Sequence, residues 1–242
     1  MHSLDNIDRK EGYAIVLLSG GLDSTTTLAI AQNTHANVNA LIFEYGQRHK
    51  IEIDHAIRIA KIARVNEYKL IRIDLNTFGQ SALTEMGIPV PKGRTPEQMT
   101  EDIPVTYVPG RNTIFLSYAA AWADALWQKE RNVYIYTGVN ALDYSGYPDC
   151  RLDYIRHYEE MINLGTRIGS QGGRIKIVAP LIHKTKEEII NTGDSLKVDY
   201  SLTISCYEPN DYGHACGNCD SCQLRAVGFE KTNVPDPTKY YV

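Results

Sequence analysis

The sequence predicts an α/β fold, with a doubly wound, mostly parallel sheet and a small C-terminal cysteine knuckle. Short apolar runs alternate with amphipathic segments along most of the 242 residues, as they do when helices cover a parallel sheet. Four of the five cysteines cluster between Cys206 and Cys222, beyond the last predicted strand. We therefore expect an α/β domain at residues 1–200 and a cysteine subdomain with a tail at residues 201–242.

Five strands are predicted from short continuous apolar runs, which are typical of strands buried on both faces. They lie at residues 13–18 (YAIVLL), 40–43, 68–73, 133–137 and 175–179. Helices are predicted in the intervals, where apolar residues recur at three- and four-residue spacing. They lie at residues 24–32, 49–65, 112–129, 151–168 and 184–194. Residues 75–106 interrupt this alternation with prolines and glycines, and a long loop of this kind inside a compact domain is often functional.

Charge and hydropathy narrow the class of protein. The 25 Lys+Arg and 29 Asp+Glu give a net charge of −4, which argues against a protein that coats nucleic acid. A membrane-spanning helix needs about 20 apolar residues, and the most apolar stretch, residues 113–127, is shorter and contains Asp124. The first dozen residues carry no apolar signal region. We expect a cytoplasmic protein with no membrane or nucleic-acid partner.

A glycine-rich turn directly follows the first strand and opens the first helix. It reads SGGLDS, from Ser19 through Gly20, Gly21 and Asp23 to Ser24. Free N–H groups and the helix dipole make such a junction an anion site, and the glycines let the anion come close to the backbone. Asp23 fits either a helix cap or a partner of the divalent ion that accompanies a nucleotide. The turn lacks the lysine of a Walker A loop, and a plain strand–helix turn with an acidic cap remains the alternative.

The cysteines Cys206, Cys216, Cys219 and Cys222 have the spacing of a metal knuckle. Four thiolates close a tetrahedron around Zn²⁺, and an all-cysteine ligand set is typical of a closed structural site. An iron–sulfur cluster is the main alternative, followed by a catalytic dithiol for sulfur transfer and by buried free cysteines. The knuckle contains no lysine or arginine, so it is a poor partner for nucleic-acid phosphates.

Polar loops follow the other strands at the edge of the sheet where a doubly wound fold binds its ligand. Arg111, in the segment VPGRN, lies at a predicted helix start, where the helix dipole does not stabilise a positive charge. An arginine there is easier to explain if it binds a phosphate or a carboxylate. The loop after the fourth strand holds Asp143, Tyr144 and Asp149. Aromatic rings and carboxylates of this kind suit a flat polar heterocycle, whereas the alternative is an ordinary polar loop.

These motifs together resemble a known family. SGGLDS resembles the PP-loop of the N-type ATP pyrophosphatases. The ordered set of SGGLDS, EYGQRH, VPGRN, GVNALDYSGYPDCR, SLTISCY and the four cysteines is similar to the 7-cyano-7-deazaguanine synthases, the PP-loop enzymes of the queuosine pathway. Glu44 departs from that pattern, which has Asp before YGQRH, but it keeps the charge.

The resemblance implies a ligase that turns 7-carboxy-7-deazaguanine, ammonia and ATP into a nitrile through an amide. It assigns the PP-loop residues Ser19, Gly20, Gly21, Asp23 and Ser24 to ATP and Mg²⁺. Asp23, Arg111 and Lys186 are then the expected catalytic residues, and Asp143, Tyr144 and Asp149 are expected to bind the deazaguanine. One structural zinc per chain and a homodimer are also expected.

Two other functions remain open at this point. A PP-loop enzyme that thiolates a tRNA base would need a basic RNA surface and catalytic cysteines, and the net charge of −4 with four clustered cysteines speaks against both. A zinc-knuckle binding module with a regulatory nucleotide loop would bind ATP without turning it over.

Overall fold

The sheet consists of five parallel strands in the order β3-β2-β1-β4-β5. The protein is represented by a computed structural model, which describes residues 10–128, 132–142 and 147–241. The strands are β1 (Lys10–Leu17), β2 (His35–Glu44), β3 (Tyr68–Arg72), β4 (Val133–Tyr136) and β5 (Ile175–Val178). The strand order reverses between β1 and β4, which confirms the predicted doubly wound sheet and defines a crevice at that point.

Eight helices surround the sheet within the described ranges. They are α1 (Leu22–Thr34), α2 (Ile51–Ile62), α3 (Pro96–Thr100), α4 (Arg111–Leu126), α5 (Leu152–Gly165), α6 (Arg167–Ser170), α7 (Lys186–Ser195) and α8 (Asp220–Glu230). Single 3₁₀ turns lie at Asn76–Phe78, Pro148–Cys150 and Tyr200–Leu202. The predicted helix at residues 151–168 is interrupted after Gly165, where the side chain of Thr166 caps α6.

The apolar core lies on both faces of the sheet. Alternate residues of β1 point to opposite faces, so Ile15 packs with the helices α4 and α5 while Val16 packs with α1 and α2. Both residues are fully buried. Burial on both faces explains why the central strands β1 and β2 contain continuous apolar runs in the sequence.

The chain after residue 200 differs from the predicted knuckle and polar tail because it also forms the helix α8. The sequence of α8 has almost no amphipathic pattern, so periodicity could not reveal it. The helix is held instead by close packing on α7 and by Phe229, which is buried against Leu22, Leu181 and Ile190. Arg225 adds hydrogen bonds to the Tyr200 carbonyl and the Thr203 hydroxyl.

The long segment at residues 75–106 is folded against the cysteine knuckle. Lys92 forms an isolated antiparallel bridge with Cys219, and the Gly93 amide donates to the Asn218 carbonyl at 2.9 Å. Arg94 forms an ion pair with Asp220 at the start of α8. Across the described ranges, no helix combines the length and the apolar character that crossing a membrane requires.

Candidate functional site

A cavity of about 240 Å³ opens at the carboxyl ends of β1, β2 and β4. The turn after β1 forms one wall, with Ser19, Gly21, Asp23 and Ser24. The segment after β2, the start of α4 and the loop after β4 form the others. The cavity thus lies at the reversal of strand order, where open α/β sheets bind their ligands.

The turn between β1 and α1, here called the PP-loop (Ser19–Ser24), has a backbone that depends on Gly20. Gly20 has a φ of +83°, and a Cβ at this position would lie 2.7 Å from the Glu52 carbonyl oxygen. The hydroxyl oxygens of Ser19 and Ser24 are 3.0 Å apart. Gly21 is extended and precedes α1 without a side-chain cap, so the predicted role of Asp23 as the helix cap is wrong. The N–H groups in the first turn of α1, which have no partner within the helix, therefore lie beside the cavity.

Two residues beyond the predicted boundary at residue 200 hold the PP-loop in place. The Ile204 amide donates to the Gly20 carbonyl at 3.0 Å, and the Leu22 amide donates to the Ser205 hydroxyl at 3.4 Å. These two residues directly precede Cys206 in the chain. The cysteine knuckle is thereby connected to the PP-loop through a short stretch of backbone.

Asp23 and Lys186 form an ion pair across the rim of the cavity. The Lys186 Nζ donates to the two Asp23 carboxylate oxygens at 2.7 and 2.9 Å. Lys186 is the first residue of α7, whose start is defined by a capping box between Thr185 and Glu188. The structure therefore brings two of the three predicted catalytic residues together, although 163 positions separate them in the sequence.

Arg111, the third predicted catalytic residue, begins α4 and lines the cavity. Gly110 precedes it with a φ of 66°, and the guanidinium lies 5.9 Å from the centre of the Tyr45 ring. Burial alone would lower the pKa of Arg111, but the neighbouring Tyr45, Tyr147 and Asp149 outweigh it and raise the pKa. The site thus keeps a permanent positive charge in a partly buried place, which suits an anionic ligand.

Asp149 lies close enough to Arg111 for their charges to interact, and only 5% of its surface is exposed. Its Oδ2 accepts from the Asn112 amide at 3.3 Å. Burial raises the pKa of Asp149, whereas the charge of Arg111 acts in the opposite direction. Burial also raises the pKa of the adjacent Cys150 thiol to about 12, so this cysteine is a neutral part of the cavity wall.

Asp143 and Tyr144, which the sequence assigns to the substrate with Asp149, lie outside the described residues. The described part of the same loop contributes Val139, Asn140 and Tyr147 to the cavity. The Asn140 side-chain amide is held by the carbonyl oxygens of Leu181 and Lys184, at 2.9 and 2.6 Å.

Sequence reasoning did not identify Glu52, which lies in the first turn of α2 and lines the cavity. Burial raises the pKa of Glu52 to about 7, and the charge of Arg111 opposes this rise. In the sequence it resembles an ordinary acidic residue at a helix start. The only available signal was its distance of a few residues from the end of β2, at the edge of the sheet where ligands bind.

The aromatic walls of the cavity were also not predicted individually. Tyr45 and Tyr147 are buried and Phe115 is partly buried, and all three line the cavity. Phe115 stacks on Phe43 with ring centres 3.9 Å apart. Aromatic side chains of this kind provide flat apolar surfaces against which a heterocycle can stack.

Arg48, from the segment after β2, joins three parts of the chain at the edge of the cavity. Its guanidinium donates to the Glu85 carbonyl at 2.8 Å and to the Ile88 carbonyl. It also pairs with Glu208 at 3.4 Å. Glu208 in turn accepts from Lys92 at 2.5 Å, so charges hold residues 75–106 against the knuckle.

The four cysteines of the knuckle converge, and their sulfur atoms all lie within 4.8 Å of one another. A tetrahedron with metal–sulfur bonds of about 2.3 Å has sulfur atoms about 3.8 Å apart, close to the arrangement here. Backbone N–H groups point at the sulfurs: the amides of Cys216 and Glu208 lie 3.2 and 3.3 Å from the Cys206 Sγ. Such donors stabilise thiolates, so this set fits a metal ion.

Comparison with known proteins decides the family. Residues 13–233 match the family model described as "Queuosine biosynthesis protein QueC". This chain belongs to the QueC family. The QueC match includes the PP-loop, the cavity and all four cysteines.

Curated relatives in the QueC family are similar over nearly their whole length. A protein from Desulfatibacillum aliphaticivorans named 7-cyano-7-deazaguanine synthase is 55% identical over 228 residues, which are 94% of this chain and 96% of that protein. A protein of the same name from Cellvibrio japonicus (strain Ueda107) is 53% identical over 227 residues, covering 94% and 97%. Among solved structures, the NMN synthetase from Francisella tularensis has a TM-score of 0.45 and 17% identity, covering 94% of this chain and 80% of that one.

Membership of the QueC family makes the chain an enzyme of queuosine biosynthesis, of the ligase type. The family resemblance that the ordered motifs indicate in the sequence is thereby confirmed.

Proposed function

We propose that this chain converts 7-carboxy-7-deazaguanine, ammonia and ATP into 7-cyano-7-deazaguanine, through two successive activations and an amide. The observation that carries the proposal is the cavity, which combines a glycine-rich PP-loop at a helix start, a partly buried arginine and aromatic walls. The printed names of the QueC-family relatives support the same reaction.

Each activation is a displacement at the α-phosphorus of ATP. A carboxylate oxygen of the substrate forms a bond to phosphorus, and pyrophosphate leaves. Ammonia then forms a C–N bond, and AMP leaves with the carboxylate oxygen. In the second round the amide oxygen attacks another ATP, and loss of AMP with the remaining protons on nitrogen leaves the nitrile. The protein contributes positioning and charge stabilisation.

The PP-loop residues are proposed to hold the phosphates. Ser19 and Ser24 line the cavity beside the first turn of α1, and their hydroxyls and the N–H groups of that turn suit pyrophosphate oxygens. Asp23 is proposed as the partner of Mg²⁺, and Lys186 would then turn from Asp23 towards the phosphates. Their present ion pair keeps both side chains at the rim before the nucleotide binds.

The heterocycle is proposed to stack against the aromatic wall beside Arg111. The buried rings of Tyr45 and Tyr147 support this position, and Arg111 offers a charge to the substrate carboxylate or to the transferred nucleotide. Asp143, Tyr144 and Asp149 remain the proposed residues for the N–H groups of the deazaguanine.

The knuckle is proposed to bind one structural zinc ion. Its four converging sulfurs and their backbone N–H donors support a closed site, and the ion would order the segment that holds the PP-loop. A cluster of free thiols is typical of a reducing compartment, which supports a cytoplasmic location. We also propose a homodimer, for which the exposed apolar residues Tyr118, Met161 and Leu164 on α4 and α5 offer a surface.

An isotope experiment tests the reaction. Purified protein receives Mg-ATP, ammonium and a substrate with ¹⁸O in both carboxylate positions, and mass spectrometry follows the products. We expect a nitrile without ¹⁸O and one ¹⁸O atom in each AMP released. An amide as the final product would refute the second activation, and unlabelled AMP would refute attack on the α-phosphorus.

Variants connect the isotope result to the cavity. Asp23→Asn is expected to lower turnover sharply with little change in melting temperature. Asp54→Asn removes an exposed carboxylate from α2 and serves as the control. Normal turnover in Asp23→Asn would contradict the proposed role of Asp23.

A further inference from the structure

Glu52 is the one carboxylate that the fold places in the cavity outside the predicted site residues, within the part of the chain that the structure describes. It stands in the first turn of α2, and the backbone of this turn touches the PP-loop at Gly20. The cavity wall therefore brings Glu52 to the same space as Asp23 and Arg111.

The carboxylate of Glu52 has no structural task that explains its position. None of the side-chain hydrogen bonds found among the described residues involves it, whereas Asp23 and Asp149 both have defined partners. Its electrostatic partners are Arg111 and Tyr45, which both line the cavity. A partly buried carboxylate without hydrogen-bond donors is costly to the fold, so its presence points to a functional role.

We propose that Glu52 is the proton acceptor for the nitrogen that this enzyme incorporates: it takes a proton from bound ammonium, and later from the nitrogen as the nitrile forms. This inference rests on the proposed function, because the nitrogen source and the acyl acceptor come from it.

The proton balance of the reaction requires such a group. Ammonium has no free electron pair, so it must lose one proton before it attacks the activated carboxyl carbon, and the nitrogen loses a second proton as AMP leaves and the amide forms. The nitrogen of the resulting amide still carries two protons, and both must leave before a C≡N bond is complete. The carboxylate of Glu52 accepts one proton at a time and releases it to water between steps, while AMP departs as the leaving group.

The charges around Glu52 fit this role. The groups that face the cavity with it are Asp23 from α1, Tyr45, Arg48 and His49 from the segment after β2, Arg111 from α4, and Tyr147, Cys150 and Tyr207 from the remaining walls. Burial raises the pKa of Glu52 to about 7, and Arg111 limits the rise. A base with a pKa near the working pH accepts and releases protons most effectively.

The participants share one cavity. The backbone of Glu52 lies next to Gly20 of the PP-loop, and the Glu52 carboxylate is within range of the charge of Arg111. A carboxyl group activated at the PP-loop and held by Arg111 would therefore present its carbon within the same space as the Glu52 carboxylate. Ammonium, as a cation, would be drawn to the negative side chain.

The test separates the proton step from the activation step in the variant Glu52→Gln. Activation is measured as substrate-dependent exchange of labelled pyrophosphate into ATP, and nitrogen transfer is measured as amide and nitrile formation from ammonium. We expect exchange close to the wild-type rate and a loss of nitrogen transfer of about 100-fold, the usual contribution of a general base. Asp54→Asn, from the same turn of α2, is exposed and is expected to resemble wild type in both assays.

Hydroxylamine provides a chemical bypass. It is uncharged at neutral pH, so it attacks an activated carboxyl group without first giving up a proton. Glu52→Gln is therefore expected to form the hydroxamate at a rate near that of wild type. At a fixed total ammonium concentration, nitrogen transfer in the wild-type enzyme should rise with pH and level off above about 7 as Glu52 ionises, whereas in the variant it should keep rising with the fraction of free ammonia.

The outcomes are distinct. Loss of pyrophosphate exchange in Glu52→Gln would overturn the proposal, because Glu52 would then serve ATP binding or the orientation of Arg111. Hydroxamate formation that falls as far as amide formation would overturn it as well. Absence of exchange in the wild-type enzyme would instead refute the proposed function itself.

Discussion

Replacement of Gly20 by alanine tests whether the PP-loop depends on close contact with α2. Gly20 has a φ of +83°, which L side chains rarely adopt. A Cβ at this position would lie 2.7 Å from the Glu52 carbonyl oxygen and 2.8 Å from the Ala56 nitrogen. Both atoms belong to the backbone of a helix, so neither can move without displacing α2. We expect Gly20→Ala to destabilise the fold and to misplace the loop.

The size of the effect follows from two contributions. The left-handed backbone costs an alanine about 1–2 kcal/mol. The steric conflict with α2 adds about 1–3 kcal/mol, as is usual when a packed region must accept an extra carbon atom. The free energy of unfolding should therefore fall by about 2–5 kcal/mol, which for a chain of this length lowers the melting temperature by about 5–20 °C.

Gly21→Ala is the matched control, because the neighbouring glycine lacks both constraints. Gly21 has a φ of −80°, and the nearest atoms to an added Cβ lie at 3.5 Å, an ordinary contact. Thermal unfolding should place Gly21→Ala near wild type, while any loss of its ATP affinity would report on the phosphate site alone. A melting temperature of Gly20→Ala within about 2 °C of wild type would refute the steric reasoning.

Three further predictions concern the rim, the knuckle and the cavity. Lys186→Met should lower turnover about 100-fold or more, yet change the free energy of unfolding by only about 1 kcal/mol, because the ion pair with Asp23 is partly exposed. A loss of turnover that is accompanied by a comparable loss of unfolding free energy in chemical denaturation would contradict this prediction. Removal of a metal ion from the knuckle by a chelator should weaken ATP binding, measured by calorimetry, because it loosens Ile204, which holds the PP-loop. An unchanged ATP affinity in the metal-free protein would exclude a connection between the knuckle and the PP-loop. Folding raises the pKa of Glu52 from 4.5 to about 7, so between these pH values the folded protein binds a proton that the unfolded chain does not. The free energy of unfolding therefore falls as the pH rises through this range. Because glutamine does not titrate, the free energy of unfolding of Glu52→Gln, measured by urea titration, should exceed that of wild type by up to about 3 kcal/mol at about pH 7. A difference between the two proteins that does not change with pH would contradict this prediction.

The sheet could be predicted from the sequence because burial on both faces leaves an unambiguous local pattern. All five strands were found, and the glycine-rich turn at the end of β1 lines the cavity, as its position after the first strand predicts. Residues that act through distant contacts left no such pattern. The helix α8 depends on the close approach of Gly228 to Lys186, where an added Cβ would lie 2.4 Å from the lysine Cγ. Glu52 looks like any acidic residue in a first helical turn until the fold buries it.

The cysteine knuckle, which could hold a metal ion, is connected to the PP-loop although the two are far apart in the sequence. The segment before Cys206 supplies the Ile204 amide to Gly20 and the Ser205 hydroxyl to Leu22. Within the PP-loop, the Ser19 amide donates to the Ser24 hydroxyl at 3.2 Å and the Gly21 amide donates to the Ser19 hydroxyl at 3.4 Å, so the segment before Cys206 adds to contacts that the loop already makes within itself. The four converging cysteines next to that segment would hold it more firmly with a metal ion bound. The knuckle is therefore part of the architecture of the cavity, since the segment that precedes it contacts the PP-loop from outside.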